Sequence, residues 1–204
     1  KNETIGKPYK FEEDYFPGST SDGGSVTAEV IYVGYGITAP ELNYDDYKGM
    51  NVKGKIVMFE PEVPISPDRQ PEIFKQWRPY SFHDHKMKNA FAHGAAGVLY
   101  NYHIVNPNCV FIKGLVINYV GRNVINDVFA GTGKVRDTLV QLIRRNHKPL
   151  SFSTGKTMTI TSVTEHHPEL AEYYKADEVI QIPQCGPDAL VDYLKTLLEQ
   201  HEYV

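Results

Sequence analysis

Three histidines and an acid fall close together in this chain: His83-Asp84-His85, then His93 eight positions after His85. Imidazoles two apart with a carboxylate between them have donor types that hold zinc. Eight residues is about two helical turns, which returns His93 to a similar face. Such a group would make the chain a small metal-dependent hydrolase. The same residues also have a plainer account. Asp84 is a natural helix N-cap, and histidines at a helix start cap or meet solvent. The expectation is no metal in this chain, with His83, His85 and His93 as the candidate ligands if one binds. His166-His167, before Pro168, reads as loop.

Two phosphate-binding patterns invite comparison. Gly34-Tyr35-Gly36-Ile37-Thr38-Ala39 fits the dinucleotide fingerprint and follows a strand-like run, with Glu60 downstream. The fingerprint needs a helix directly after it, because the pyrophosphate sits on that helix's N-terminus. Pro40, Asn43, Gly49 and Gly54 leave no room for one. Gly133-Lys134 and Gly155-Lys156-Thr157 lack the glycine five positions earlier that a phosphate loop requires; Val128 and Leu150 stand there. Both read as turns. Paired carboxylates occur at Tyr44-Asp45-Asp46-Tyr47, but neighbours in a short turn point apart, so a solvated turn is expected. No nucleophile elbow is present, and neither Cys109 nor Cys185 has a catalytic context. The two cysteines could form one bridge or none. No catalytic residue and no cofactor are therefore assigned to this chain.

The elements that must position these residues belong to an α/β chain rich in strands. The 204 residues are 41% hydrophobic and 23% charged, which supports a folded core and excludes disorder. Lys plus Arg number 21 against 25 Asp plus Glu, a net charge of −4, so the footprint of a nucleic-acid binder is missing. No stretch is apolar and long enough to span a bilayer.

Residues 1–23 are polar and turn-rich, a leading segment or linker. Val26–Val33 is a strand, closed by Gly34, Gly36 and Pro40; Gly54 sits in a turn that launches the buried strand Ile56–Phe59. Asp84–His93 is a helix with Met87, Ala90 and Phe91 on one face, ended by Gly94 as a left-handed cap. Ala95-Ala96-Gly97 is a tight passage into the strand Val98–Tyr100, which makes a βαβ crossover. A strand over Leu115–Val120, helices over Arg122–Phe129 and Val135–Asn146, and a final strand over Phe152–Val163 follow. Residues 166–204 read as a helical appendage containing a short strand at Val179–Ile182.

Between Phe59 and His83 five prolines accompany Phe74, Trp77, Arg78, Tyr80 and Phe82. Aromatic and arginine side chains are enriched at interface hot spots, and proline lowers the entropy lost when a loop is fixed. These five are the expected contact surface toward a partner or substrate, with Trp77 exposed. The plainer account folds the aromatics back over the core.

Three segments together resemble a known module. Val26 to Ile37 leads through Tyr44-Asp45-Asp46-Tyr47 to Val52-Lys53-Gly54-Lys55-Ile56-Val57, and Lys86 to Ala92 runs into His93-Gly94-Ala95-Ala96-Gly97-Val98-Leu99. This resembles the protease-associated (PA) domain of secreted zinc aminopeptidases related to aminopeptidase Y and glutamate carboxypeptidase. The similarity covers residues 24 to about 165. The resemblance implies a β-rich swivelling β/β/α architecture in a non-catalytic domain that shapes substrate access or mediates protein contacts. It also implies a secreted or periplasmic parent protein, a neighbouring peptidase catalytic domain or peptide substrate as partner, and zinc only in that separate domain. Zinc ligands of such a catalytic domain do not follow Val163, and the chain reads as an excised piece or a relative without the catalytic part. A stand-alone interaction domain is the remaining alternative.

Overall fold

The computed structural model describes residues 6–10, 13–17, 21–101 and 112–162. The expectations for the appendage over residues 166–204, for the Cys109–Cys185 bridge and for His166-His167 lie outside the described residues.

Four strands with continuous apolar runs or apolar ends form the centre. They are β2 (Gly24–Tyr32), β5 (Ile56–Phe59), β6 (Gly97–Tyr100) and β7 (Val116–Val120), each parallel to the next. β5, β6 and β7 are buried along their whole length, which their lack of polar alternation predicts. Two antiparallel strands finish the edges: β1 (Tyr15–Pro17) on β7, and β8 (Phe152–Ser162) on β2. The sheet order is β1-β7-β6-β5-β2-β8. Two strands of two residues, β3 (Thr38–Ala39) and β4 (Tyr44–Asp45), form a small second sheet. The chain is thus α/β with mixed sheets. Part of the segment read as a linker belongs to the body, since β1 pairs with β7 and the Tyr9 hydroxyl donates to Asp127 at 2.9 Å.

The parallel strands advance in one direction, so connections of one hand must lie on one face. They do. Tyr47 and Val52 from the first connection, Met87 and Ala90 from the second, and Leu115 from the third pack with Ile31, Val57, Val98 and Ile117. Met87 and Ala90 belong to α2 (His83–Ala92), which follows α1 (Pro71–Trp77). The opposite face, Val30, Tyr32, Ile56, Met58 and Leu99, is covered by α3 (Arg122–Phe129) and α4 (Arg136–Asn146) through Val124, Val128 and Leu139. A third apolar cluster caps the carboxyl ends of β2 and β5, with Tyr35, Ile37, Tyr44, Val63, Ile65, Trp77 and Ile143 at its centre.

The glycines of the sequence motifs have geometric causes. Gly34 (φ +48°) and Gly36 (φ +69°) turn the chain off β2 against buried side chains: an added Cβ would lie 2.4 Å from Asp46 Oδ1 and 2.9 Å from Phe59 Cγ, respectively. Gly94 has φ +85° just past α2, and Gly97 would place a Cβ 2.5 Å from Ile160 Cδ1. Gly54 (φ +69°) faces open space, so only its backbone conformation demands glycine.

Candidate functional site

The histidines diverge. His83 Nδ1 lies 2.5 Å from the Tyr100 hydroxyl. His85 meets the Tyr80 ring edge-on at 4.9 Å, and its buried Nε2 has no hydrogen-bond partner. His93 stacks on Tyr47 at 4.1 Å and its Nε2 lies 3.0 Å from Thr38 Oγ1. Burial holds the His83 and His85 imidazoles below their ordinary pKa. Among the described residues no group of three His, Cys, Asp or Glu side chains converges as metal ligands would. Asp84 does not cap α2; the N-cap is Phe82, and Asp84 instead pairs with Lys88 at 3.1 Å, one turn on.

The expected contact surface also divides. Trp77 is 5% exposed and packs edge-on against Tyr44 at 5.0 Å, so the structure corrects the expectation that it faces solvent. The cause is α1: seven helical residues turn Phe74 and Trp77 inward onto the cluster at the strand ends. Tyr80 is half-buried there and its hydroxyl donates to Glu41. Arg78 and Phe82 remain exposed.

The polar residues that the fold gathers are others. Asp46, expected in a solvated turn, is 1% exposed. Its Oδ2 accepts from the backbone N–H groups of Tyr35 and Ile37 at 3.0 and 3.1 Å, and its Oδ1 accepts from the Tyr44 hydroxyl at 2.9 Å. It therefore ties the turn after β2 to β4. Burial pushes its carboxyl up to about 7 despite those donors. Lys86, fully buried on the inner face of α2, donates to the carbonyls of Tyr35 and Glu60. Those carbonyls lie just past the ends of two parallel strands, where the ladder no longer supplies partners, so the ammonium satisfies groups that would otherwise be stranded. Burial holds Lys86 down to about 7.

Glu60, 2% exposed, closes β5. It accepts from Arg136 Nε at 2.9 Å and Nη2 at 2.5 Å, from Asn101 Nδ2 at 2.9 Å, and from the Tyr32 hydroxyl at 3.3 Å. The hydrogen bond to Glu60 holds the Arg136 guanidinium above its ordinary pKa. A carboxylate committed to four donors is not a free general base. Its effect is positional: it fixes the start of α4 against the carboxyl ends of β5 and β6.

That arrangement frames an open cleft of about 640 Å³ between Asn101, α3 and the first residues of α4. The carboxyl-end crevice is where parallel α/β sheets hold ligands, and the volume suits a small ligand or a few residues of peptide. Sequence reasoning missed Asp46, Lys86, Glu60, Arg136 and this cleft. One signal was available. Half-buried His83 and buried Lys86, Met87 and Ala90 stand at i, i+3, i+4 and i+7, which marks the inward stripe of α2, whereas Phe91, expected in it, is 45% exposed.

The chain is similar to the aminopeptidase from Aneurinibacillus sp. strain AM-1, with 19% identity, 72% of this chain and 30% of that one covered, and a TM-score of 0.35. It spans under a third of that enzyme's length. No protein-family model and no curated protein matches the chain.

Proposed function

We propose that this chain is a protease-associated-like domain, not catalytic by itself, belonging to a secreted or periplasmic zinc aminopeptidase-like protein. It shapes substrate access or binds a partner beside a separate catalytic domain, which holds the zinc. The observation that carries the reading is the commitment of the chemistry-bearing side chains to the fold. Asp46 and Lys86 are buried and hold turn and strand-end backbone groups, Glu60 is buried against Arg136, Asn101 and Tyr32, and the three histidines meet separate side chains. The ordered Gly-Tyr-Gly, Gly-Lys-Ile-Val and Gly-Ala-Ala-Gly-Val segments supply the family resemblance, and each falls where a turn or close approach requires it.

A catalytic zinc normally keeps three protein ligands and an open position. The chain, dialysed against zinc-containing buffer and then against metal-free buffer, is expected to retain less than stoichiometric zinc and to hydrolyse no aminoacyl anilide. One retained equivalent together with hydrolysis lost in His85→Ala would overturn the proposal in favour of a small metal-dependent hydrolase.

A further inference from the structure

The cleft at the carboxyl ends of the strands has a definite chemical character. One wall is α3, presenting Arg122, Ile125, Asn126 and Phe129; the other is Lys134 and Val135, just before α4. Arg136 and Asp137 complete that wall, but their charges are already matched. Arg136 holds Glu60 with two nitrogens, and its Nη1 lies 2.9 Å from Asp137. Arg122 and Lys134 are exposed and form no ion pair among the described residues. Lys134 instead lies over the Phe152 ring, 5.0 Å from its centroid. Two cations with no ion-pair partner among the described residues thus line one concavity of a chain whose net charge is −4.

Apolar surface accompanies them. Ile125 and Phe129 form a mostly buried floor, and Val135, 64% exposed, extends it toward solvent. A ligand that suits this combination carries an anionic group next to an apolar body. The two cations sit on separate walls, each beside part of the apolar surface. A single carboxylate matches that arrangement.

We infer that this cleft binds a peptide segment through a carboxylate held by Arg122 and Lys134, with an adjacent apolar side chain on Ile125, Phe129 and Val135. This deepens the binding-module reading proposed above and rests on it in taking the cleft to hold peptide without cleaving it. The carboxylate can be a C-terminus or an acidic side chain, and the test separates these sources.

The whole chain, isotope-labelled, is titrated with three peptides and followed by amide chemical shifts. The probes are N-acetyl-Ala-Leu-Leu with a free C-terminus, the same peptide as its C-terminal amide, and N-acetyl-Leu-Asp-Leu-amide. At least one carboxylate peptide is expected to shift the amides of residues 122–137 and to bind at least tenfold more tightly than the uncharged amide. Tighter binding of the first assigns the site to C-termini; tighter binding of the third assigns it to acidic side chains. Arg122→Ala and Lys134→Ala should each weaken binding about fivefold or more, with the urea midpoint unchanged for Arg122→Ala, since Arg122 forms no ion pair among the described residues, and only slightly lowered for Lys134→Ala by the lost contact to the Phe152 ring. Added salt should weaken it as well. Equal binding of the uncharged amide, displacement by equimolar inorganic phosphate, shifts elsewhere, no shifts, or wild-type affinity in both variants would each overturn the inference. Those failures leave the non-catalytic reading standing, since only anilide hydrolysis with bound zinc removes that.

Discussion

Gly34 and Gly54 form a controlled pair. Both have positive φ, +48° and +69°, so replacing either with alanine forces an L-residue into the left-handed region at a cost of about 1–2 kcal/mol. Each replacement also recovers some stability, about 0.4–1 kcal/mol, by restricting the unfolded chain, and this largely cancels between the two. Their surroundings differ. At Gly54 a new Cβ meets nothing within 4 Å; at Gly34 it would lie 2.4 Å from Asp46 Oδ1 and 3.0 Å from Asp46 Cγ. Ordinary contact requires the carboxyl to retreat by about 1 Å, yet its other oxygen is pinned by the Tyr35 and Ile37 amides. The retreat therefore breaks the Tyr44 hydroxyl bond or strains both amide bonds. Losing one hydrogen bond to a buried carboxyl costs about 1.5–3 kcal/mol. Gly34→Ala should thus destabilise the protein by about 2–3 kcal/mol more than Gly54→Ala. With a denaturant slope of about 2 kcal/mol/M in urea, the midpoints should differ by about 1 M or more. Equal losses would refute the reasoning, because they would show that Asp46 contributes nothing beyond the backbone strain shared by both sites.

Two further outcomes follow from the same packing. Trp77, the only tryptophan, should emit at short wavelength in the folded state and resist acrylamide; red-shifted, readily quenched emission would show that α1 does not seat it against Tyr44. Asp46 should make stability depend on pH with a definite sign. Burial raises its carboxyl from 3.8 to about 7, so its contribution is fully present below about pH 4 and is lost as pH rises through about 7. The cost of Asp46→Asn in urea unfolding should therefore shrink between pH 5 and pH 8, by at most about 2.6 kcal/mol; a cost that grows over that range would show the carboxyl to be held ionised.

The strands at Ile56–Phe59, Val98–Tyr100 and Val116–Val120 were legible because central parallel strands are buried on both faces and carry unbroken apolar runs. Arg122–Phe129 was legible from its helical stripe and the glycines that follow it. Tyr15–Pro17 was not, since three residues ending in proline carry no strand period and become β1 only by pairing with β7. Trp77 was misplaced for a related reason. The proline density around it suggested an extended loop, whereas Pro71 stands at the first turn of α1, where its missing N–H costs nothing.

Local sequence determined the turns and the element types, because positive φ at Gly34, Gly36 and Gly94 and the period of each apolar run are short-range properties. Only the tertiary structure decided what the charges do. Asp46, Glu60, Lys86 and Arg136 look like ordinary surface residues in the chain. The ends of parallel strands leave carbonyl and amide groups that need partners, which Asp46 and Lys86 supply from distant positions, and Arg136 reaches Glu60 at the end of β5 across 76 residues. The same long-range pairing sets α3 and the start of α4 apart with Arg122 and Lys134 between them, and no local pattern encodes that spacing.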